Sequence, residues 1–305
     1  MRNYLLARAL GAFIVVAGVT LVVFVVLRLS GDPTSLLLDP AAPREAYDEL
    51  RTDLGLDQPI PVQYVRFLGN LLQGDLGTSF QYREPAARVV LERVPATLQL
   101  AATALLITIC VGVPLGIWSA IRRDSGTDFA ISFVTLIGQS MPNFWFGIVL
   151  ILLFAVNLHW LPTSGTGDLR HLVLPAITLA AHPVSKFTRV TRTEFLEHLR
   201  QDYVRTARAK GLVERIVLTR HALRNVLISL VTLIGLDLGY LLGGAIIVET
   251  VFAWPGLGRT TIQAISQRDF PVVQAAVIYM AFVIVLINFL VDMLYSMLDP
   301  RIRLR

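Results

Sequence analysis

The sequence predicts an all-α integral membrane protein with six transmembrane helices. Of its 305 residues, 54% are hydrophobic and 16% are charged, and the mean hydropathy of +0.63 exceeds that of soluble globular domains. A helix needs about 20 apolar residues to cross a hydrocarbon core of about 30 Å, and several runs reach this length. The arginine and lysine residues between the runs then indicate how many crossings there are.

Four runs without Asp, Glu, Lys or Arg have the length of a membrane span, or nearly so: Ala9 to Leu27, Ala96 to Ile121, Phe129 to Leu158 and Phe270 to Val291. The run from Asn225 to Val248 is equally apolar except for Asp237 and gives a fifth helix. His171 to Ser185 is short and contains Pro175 and Pro183. We expect it to span only as a kinked helix or with help from its flanking residues.

The first run could be mistaken for a signal peptide, because Arg2 and Arg8 precede it. The run is longer than the apolar core of a usual signal peptide, and no small-x-small cleavage site follows it before Arg28 and Asp32. We therefore expect this helix to be retained.

The basic residues indicate which side of the membrane holds the termini. Six spans place both termini on one side, which also receives most of the basic residues: Arg2, Arg8, Arg122, Arg123, the segment Lys186 to Arg224, Arg301, Arg303 and Arg305. Cytoplasmic loops carry an excess of Lys and Arg, so this side is predicted to be cytoplasmic. Without the short fourth helix, the Lys186 to Arg224 segment and Arg305 would lie on opposite sides.

The outer side receives the segment from Ser30 to Pro95, in which acidic residues outnumber arginines. Amphipathic stretches and turn signals predict a small extracytoplasmic cap here; they are Ala46 to Leu54, Gln63 to Leu72, Gly31-Asp32-Pro33, Asp39-Pro40 and Gly74-Asp75. We divide the chain into residues 1–95, the first helix with this cap, and residues 96–305, the other five helices with a cytoplasmic segment at 186–224.

Composition and motifs exclude several classes of function. The net charge of +5 comes from basic residues that flank apolar runs, which is not the pattern of a nucleic-acid-binding surface. Cys110 is the only cysteine, so the chain has no disulfide framework and no cysteine-based metal site. The only lysines, Lys186 and Lys210, are followed by Phe187 and Gly211, so a phosphate-binding loop of the G-x-x-x-x-G-K-[ST] type is absent.

Hydrolase motifs are absent as well. No two histidines are four residues apart, which the helical zinc-protease motif requires. Ser164 lies in Pro-Thr-Ser-Gly, which lacks the first glycine of G-x-S-x-G. The sequence therefore predicts that the chain is not an enzyme.

The segment from Lys186 to Arg224 is predicted to form a helix, a turn at Gly211 and a second helix. Apolar or aromatic side chains follow helical spacing at Phe195, Leu196, Leu199, Tyr203, Val204 and Ala207. We expect Asp202 to cap a short helix, and Gly211 to close it in the left-handed conformation after the cations Arg205, Arg208 and Lys210. The segment is either a docking element or a solvated loop that only sets topology, and its length favours docking.

This segment also carries a family resemblance. Asp202-Tyr-Val-Arg-Thr-Ala-Arg-Ala-Lys-Gly-Leu212, followed by His221-Ala-Leu-Arg-Asn225, resembles the cytoplasmic motif of ABC importer permeases of the dipeptide, oligopeptide and nickel branch. Similar matches extend over nearly the whole chain: Gly31-Asp-Pro33, Leu54-Gly-Leu-Asp-Gln-Pro59, Gly74-Asp-Leu-Gly77, Pro95-Ala-Thr97, Pro114-Leu-Gly116, Pro142-Asn-Phe-Trp145, Leu161-Pro162, Leu174-Pro175, Glu249-Thr-Val-Phe-Ala-Trp-Pro-Gly-Leu-Gly258 and Asp299-Pro-Arg301.

The resemblance implies a type I importer transmembrane domain that couples ATPase closure to alternating access. It implies four kinds of partner: a second, related permease, two cytoplasmic ATPases or one fused ATPase, an external substrate-binding protein, and membrane lipid. ATP and Mg would bind to the ATPase subunits and no cofactor to this chain. The expected location is the bacterial inner membrane, with both termini cytoplasmic.

In such families the helix before the motif glycine sits in a cleft of the ATPase. The residues of this chain that match it are Asp202, Tyr203, Arg205, Thr206, Ala207, Arg208, Ala209, Lys210 and Gly211. The general motif opens with Glu-Ala-Ala, whereas this chain has Arg205-Thr206-Ala207. A role that the family assigns to the motif glutamate therefore cannot be transferred to this chain, which has Arg205 at that position.

Two further places are candidates for the pore or gate. Asp237 lies about midway through the fifth span, where a carboxylate cannot face lipid cheaply, so it either lines the pore or is buried in a structural hydrogen bond. The loop with Glu249, Phe252, Trp254 and Pro255 is either re-entrant near an outer gate or an aromatic anchor at the membrane interface.

The sequence thus predicts a permease subunit that forms half of the translocation pathway of an ATP-driven peptide-type importer. The alternative is a self-contained channel or an ion-coupled carrier. A carrier is expected to contain inverted repeats or several charged residues within its spans, and Asp237 is nearly alone. Dipeptides, longer peptides, glutathione and nickel complexes all remain open as substrates, because binding proteins select the substrate in this class.

Overall fold

The computed structural model describes residues 2–29, 34, 38, 42–53 and 55–298. Helices dominate these ranges, which contain no β-strand and one isolated antiparallel bridge between Thr78 and Pro85. The predicted all-α class is therefore confirmed. The Gly31-Asp32-Pro33 and Asp39-Pro40 turns, Leu54, and the residues from Asp299 to Arg305 lie outside the described residues.

In the part of the predicted outer segment that the structure describes, three short helices follow the long first one. They follow in the order α1 (Arg2–Leu29), α2 (Arg44–Asp53), α3 (Ile60–Leu72) and α4 (Ala86–Leu91). Helices α2 and α3 confirm the two amphipathic stretches. Gly74 has a φ of +79°, which confirms the turn predicted there, since glycine adopts this conformation without a steric penalty.

The rest of the chain forms ten further helices within the described range: α5 (Val94–Ile107), α6 (Val113–Ile121), α7 (Gly126–Ser140), α8 (Asn143–Leu150), α9 (Arg170–Leu199), α10 (Asp202–Ala209), α11 (Glu214–Ile216), α12 (Leu223–Val251), α13 (Leu257–Ser266) and α14 (Phe270–Leu298). Three π-helical turns adjoin them: Thr108–Gly112, Ile151–Asn157 and Val217–Ala222. Helix α9 is the longest, and at about 1.5 Å per residue it extends for about 45 Å.

The chain divides into two compact units. The first comprises Met1–Pro95 and Arg259–Phe289. Within it, the ring of Phe24 packs on those of Tyr64 and Phe67, with centroid distances of 5.2 and 5.8 Å. The carboxylate of Asp269 accepts hydrogen bonds from the hydroxyl of Ser79 (2.5 Å) and from two backbone amides of the following turn, so it anchors the loop before α4.

The second unit comprises Ala96–Gly258 and Leu290–Arg305. Helix α9 lies at its centre and contacts α6, α7, α8 and α12. Phe187 and Phe195 of α9 are fully buried and pack against a cluster of small and aliphatic side chains: Ala120, Ala222, Val226, Leu230 and Leu233. This packing holds α9 and α12 side by side.

Among the described residues, four helical segments are long and apolar enough to cross a membrane: Leu10–Leu29, Ala86–Ile121, Ser229–Val251 and Phe270–Val291. A bent pair, Gly126–Ser140 with Asn143–Asn157, makes a fifth candidate if it counts as one span. The fourth predicted span, His171 to Ser185, lies within α9. Since α9 does not meet the same criteria, the predicted number of six remains a prediction.

The prediction of one continuous helix from Phe129 to Leu158 is wrong. The helix ends at Ser140, restarts at Asn143, and the two parts meet at a bend of 108°. Pro142 has no N–H group and clashes with a helical conformation of the residue before it. Met141 is accordingly extended, with φ −84° and ψ 131°.

Candidate coupling site and polar helix seam

A short helical hairpin follows α9, and we call residues 202–216 the coupling hairpin. Helix α10 packs through Val204 and Ala207 against Val217 and Leu199. These contacts bury one side of α10 and hold it against the end of α9. The hairpin is therefore a packed element and not a loose charged loop.

The hairpin turns at Gly211, which has a φ of +75°. The amide of Gly211 donates to the carbonyl of Arg208 (2.9 Å), and the amide of Leu212 donates to that of Ala207 (3.4 Å). This pair of bonds is the Schellman motif, which closes a helix with a left-handed residue. The prediction for Gly211 is confirmed.

An ion pair closes the hairpin on its exposed side. The guanidinium of Arg208 donates two hydrogen bonds to Glu214, at 2.7 and 3.2 Å. These bonds hold the pKa of Glu214 below its usual value and raise the pKa of Arg208. Both side chains are about half exposed, so salt weakens the pair.

The prediction that Asp202 caps α10 is wrong. Gln201 occupies the N-cap position with φ −73° and ψ 150°, and no side chain accepts a hydrogen bond there. Asp202 is instead the first helical residue. Its carboxylate still lies at the positive end of the helix dipole, which is the favourable end for an anion.

The structure brings the predicted coupling residues together on one hairpin. Asp202, Tyr203, Arg205, Thr206, Arg208, Ala209, Lys210 and Gly211 are exposed, whereas Ala207 is buried. Sequence analysis missed the apolar side chains of Val213 and Ile216, which are exposed beside Leu212 just after the turn. The signal was present, because these three apolar residues interrupt a highly charged segment. Exposed apolar patches on polar elements mark surfaces that bind other proteins.

A buried ion pair joins the start of α7 to α9. Asp128 accepts two hydrogen bonds from Arg192, at 2.8 and 2.7 Å, and others from Ser119 and from the amide of Asp124. The buried carboxylate thus accepts four hydrogen bonds, which offset the cost of removing its charge from water. No spacing rule could have found this pair, because 64 residues separate its partners.

Helices α9 and α12 run antiparallel and share a seam of three polar contacts. His182 packs on the ring of Tyr240 (4.9 Å between centroids), Lys186 pairs with Asp237, and Ser229 donates to Glu194 (3.0 Å). The partners advance along α9 by four and eight residues while they go back along α12 by three and eight. The seam is therefore one continuous interface.

The seam determines the position of Asp237. This carboxylate is 4% exposed, and its Oδ1 lies 2.6 Å from Nζ of Lys186. Its Oδ2 is buried and has no hydrogen-bond partner among the described residues. Asp237 lies within Ser229–Val251, which is long and apolar enough to cross a membrane, and Lys186 contacts it from α9.

A groove lies beside the seam, between α6, α7 and α9. Its cavity volume is about 230 Å³. Apolar atoms form most of its surface, although most of the residues that line it carry a hydroxyl, amide or guanidinium group: Ser119, Ser132, Thr135, Leu136, Gln139, Ser185, Thr188, Arg189 and Arg192. Among the described residues, no group of three or more His, Cys, Asp or Glu is placed to hold a metal ion.

The second candidate gate region is a buried cluster of hydrogen bonds around Glu249, at the end of α12, which we call the Glu249 cluster. Glu249 is fully buried and accepts a hydrogen bond from Thr97 (2.5 Å), whose hydroxyl in turn accepts from the amide of Leu257 (2.8 Å). A Cβ placed on Gly256 would lie 2.1 Å from a carboxylate oxygen of Glu249. Glycine is therefore the residue that lets the loop pass this close.

The aromatic residues of this loop are also buried. Phe252 and Trp254 are 1% and 5% exposed, and the indole of Trp254 donates to the carbonyl of Ala96 (2.9 Å). An aromatic anchor at the membrane interface needs an exposed ring, which neither residue offers. Pro255 lies between them and Gly256, in the short stretch without helical structure.

Comparisons with known proteins agree with this architecture. Residues 112–304 match the family described as binding-protein-dependent transport system inner membrane component. Residues 1–101 match its N-terminal companion family. Together the two matches cover almost the whole chain.

Curated relatives match over their full lengths. The chain is 39% identical to the oligopeptide transport system permease AppB of Bacillus subtilis, with 99% of each chain covered. It is 43% identical to the di/tripeptide transport system permease DppB of Pseudomonas aeruginosa (98% of each chain). It is 41% identical to the glutathione transport system permease GsiC of Salmonella paratyphi A (99% of each chain).

The fold also matches a solved importer. The inward-facing MetNI methionine ABC transporter aligns with a TM-score of 0.60 at 18% identity, covering 69% of this chain and 96% of the solved one. This structural similarity supports the fold of the chain, and the sequence relatives establish its family. The chain belongs to the binding-protein-dependent transport system inner membrane components, and it is a membrane permease subunit of an ABC importer and not an enzyme.

Proposed function

We propose that this chain forms half of the translocation pathway of a peptide importer. Its relatives in Bacillus, Pseudomonas and Salmonella are named for oligopeptides, di/tripeptides and glutathione, which are all peptides. The other half is a second, related permease. Two ATPases, or one fused ATPase, bind ATP and Mg, and an external binding protein delivers the peptide.

The observation that carries the proposal is the coupling hairpin. Its exposed surface combines cations with the apolar side chains of Leu212, Val213 and Ile216, so it suits a protein partner better than water alone. The Schellman turn at Gly211 and the Arg208–Glu214 pair fix its shape before any partner binds. A preformed surface loses less conformational entropy on binding.

The coupling hairpin is packed directly on a helix that continues to the polar seam, so a movement of the hairpin moves this helix as well. Helix α10 packs on Leu199 at the end of α9, and α9 continues without a break to the seam residues Lys186 and His182. ATP binding closes the ATPases, which draws the hairpins of the two permeases together and rocks α9 with α12 as one body. Alternating access then needs only rigid-body motion of this subunit.

The orientation follows from charge. The hairpin and the pair Arg122 and Arg123 lie on the cytoplasmic side, and we assign both termini to that side. The Glu249 cluster then lies toward the outside, where Phe252, Trp254 and Pro255 form part of the outer gate. Asp237 lies between the two ends and contributes to the pathway wall through the seam.

Site-directed cross-linking tests the docking step. Cys110 is the only cysteine, so a Cys110→Ser background leaves a single thiol when Val213→Cys is introduced. We expect Val213→Cys to cross-link to an ATPase subunit in membranes and Leu169→Cys, an exposed position before α9, not to do so.

Purification of the same cells tests the assembly. We expect an affinity tag on this chain to recover an ATPase and a second permease in one complex. Recovery of a homo-oligomer that transports without an ATPase would contradict the proposal and favour the channel or carrier alternative.

A further inference from the structure

Three basic residues share one face of α9. His182, Lys186 and Arg189 follow one another at intervals of four and three residues, which places them on the same side of a helix. The opposite side holds Phe187 and Phe195, both fully buried. His182 and Lys186 are half-buried against Tyr240 and Asp237 of α12, whereas Arg189 is exposed, so this chain leaves the Arg189 end of the basic face open.

This face cannot lie against hydrocarbon. Lys186 contacts Asp237, which lies 14 residues from either end of α12 (Leu223–Val251), inside a membrane-crossing segment. A charged side chain at the centre of a bilayer costs about 3 kcal/mol or more. Since α9 carries three basic groups on one side near this depth, the face must border water or protein.

The groove beside this face contains one positive charge that no described residue neutralises. Arg192 is held by Asp128 through two hydrogen bonds, and Lys186 is held by Asp237. Arg189 also lines the groove but has no ion pair or hydrogen bond among the residues that the structure describes. The groove is therefore complementary to a single anionic group.

The hydrogen-bonding groups among the remaining lining residues match a peptide backbone. The hydroxyls of Thr135, Ser185 and Thr188 already donate to carbonyls of their own helices, so they offer only lone pairs to a ligand. Those lone pairs can accept hydrogen bonds from peptide N–H groups. The hydroxyl of Ser132 and the amide of Gln139 have no hydrogen bond within the described part of the chain and can donate to an anion.

We propose that this groove binds the C-terminal carboxylate of a peptide in transit, with Arg189 as its cation. The inference rests on the proposed peptide substrate and names a subsite for it. An anionic lipid headgroup is a weaker match. Gln139 lies about 16 Å farther along α7 than Asp128, so the polar lining extends well below the level of headgroups. A lipid also has no row of N–H donors for the three hydroxyls.

Transport by the reconstituted importer tests this subsite. Two forms of one tripeptide are compared, one with a free C-terminal carboxylate and one with a C-terminal amide. Each is supplied at a concentration that saturates the isolated binding protein, so that capture does not limit uptake. The parent should transport the free acid about tenfold faster than the amide, since a hydrogen-bonded charge contributes about 1.5–3 kcal/mol.

Arg189→Gln should lower the transport rate of the free-acid peptide about tenfold and leave that of the amidated peptide unchanged. The preference for the free acid is then lost. Arg189→Lys keeps the positive charge and should restore much of this preference. Arg170→Gln, at the other end of α9 and exposed, should behave as the parent does. Each variant is first checked for assembly by size-exclusion chromatography.

Equal slowing of both peptides by Arg189→Gln would assign Arg189 a structural role and overturn the proposal, as would no slowing of either. If the slowing appeared only in vesicles containing phosphatidylglycerol and not in phosphatidylcholine alone, the groove would be a lipid site. If the assembled parent transported neither peptide, the proposed function itself would fail, and this subsite with it.

Discussion

Nζ of Lys186 lies 2.6 Å from Oδ1 of Asp237, and this ion pair joins α9 to α12 in the middle of the second unit. The two side chains differ in exposure: the side chain of Lys186 is 29% exposed and that of Asp237 is 6% exposed. Removing one partner therefore has an asymmetric consequence. The carboxylate cannot reach water when it loses its partner, whereas the ammonium can.

We expect Lys186→Met to destabilise the protein more than Asp237→Asn. Lys186→Met leaves an uncompensated buried carboxylate, at a cost of about 3 kcal/mol, whereas Asp237→Asn leaves a partly hydrated cation. The measurement is thermal unfolding of the purified complex, followed by size-exclusion chromatography. In the double variant Lys186→Met/Asp237→Leu, most of the stability should return, because no charge is left buried. Equal losses in the two single variants would contradict the pairing.

Gly211→Val should uncouple ATP hydrolysis from transport and leave membrane insertion intact. A β-branched residue in the left-handed conformation costs about 1–2 kcal/mol, which unfolds the Schellman turn and changes the docking surface. Nothing lies within 4 Å of the Cβ position, so any effect comes from the backbone conformation alone. The measurements are peptide uptake and the stimulation of ATPase activity by the binding protein.

Gly165→Val is the matched control for that variant. Gly165 also has a positive φ, of +88°, and open space around its Cβ position, but it lies in the loop before α9. Its replacement should leave ATPase coupling intact. If Gly211→Val took up peptide as well as the parent does, the hairpin would not be the docking element.

Because of the Arg208–Glu214 pair, the stability of the coupling hairpin should fall in acid and should not change with pH near neutrality. The pKa of Glu214 is below its ordinary value of 4.5, because Arg208 donates hydrogen bonds to the carboxylate. A lowered pKa stabilises the fold fully above the unfolded value and loses this effect as the pH falls through the lowered one. Hydrogen exchange of the hairpin amides, corrected for intrinsic rates, should therefore be constant from about pH 8 to 5.5 and should increase below about 4.5.

Glu214→Gln should increase exchange in the hairpin at neutral pH and remove the acid dependence. Glu92→Gln, at an exposed pair in which Arg88 donates a hydrogen bond to Glu92 (3.1 Å), is the control and should change neither. An acid dependence that persists in Glu214→Gln would show that another group controls the hairpin.

Gly256→Ala should destabilise the protein by about 1–3 kcal/mol, the usual range for overpacking a buried site. The added methyl group would lie 2.1 Å from a carboxylate oxygen of Glu249, so either the loop or the carboxylate has to move. Gly243→Ala tests the specificity of this effect, because nothing lies within 4 Å of its Cβ position in α12. Alanine is favoured over glycine within helices by about 0.5–1 kcal/mol, so Gly243→Ala should be neutral or stabilising in thermal unfolding.

The sequence by itself determined the helical class, most of the membrane segments and the coupling hairpin. These features depend on local chemistry. A run of about 20 apolar residues predicts a span wherever it occurs, and a glycine after a short charged helix predicts a left-handed turn. Gly211 could therefore be predicted without knowledge of what surrounds it.

Only the tertiary structure decided which charges meet. Lys186 and Asp237 are 51 residues apart, and Arg192 and Asp128 are 64 apart. Such pairs form where packed helices bring their side chains together, and sequence spacing carries no information on this. That Arg189 has no partner in the described part of the chain became visible only once the partners of Lys186 and Arg192 were known.

The prolines show why the sequence alone could not decide where a helix breaks. Pro142 ends one helix and allows a bend of 108°, yet Pro175 and Pro183 lie inside the continuous helix α9. All three lack the same N–H group. Pro175 and Pro183 are buried among the neighbours of α9, whose packing can offset a lost backbone hydrogen bond. Pro142 is exposed and has no such packing. The sequence identified where a helix could break, and tertiary packing decided where it did.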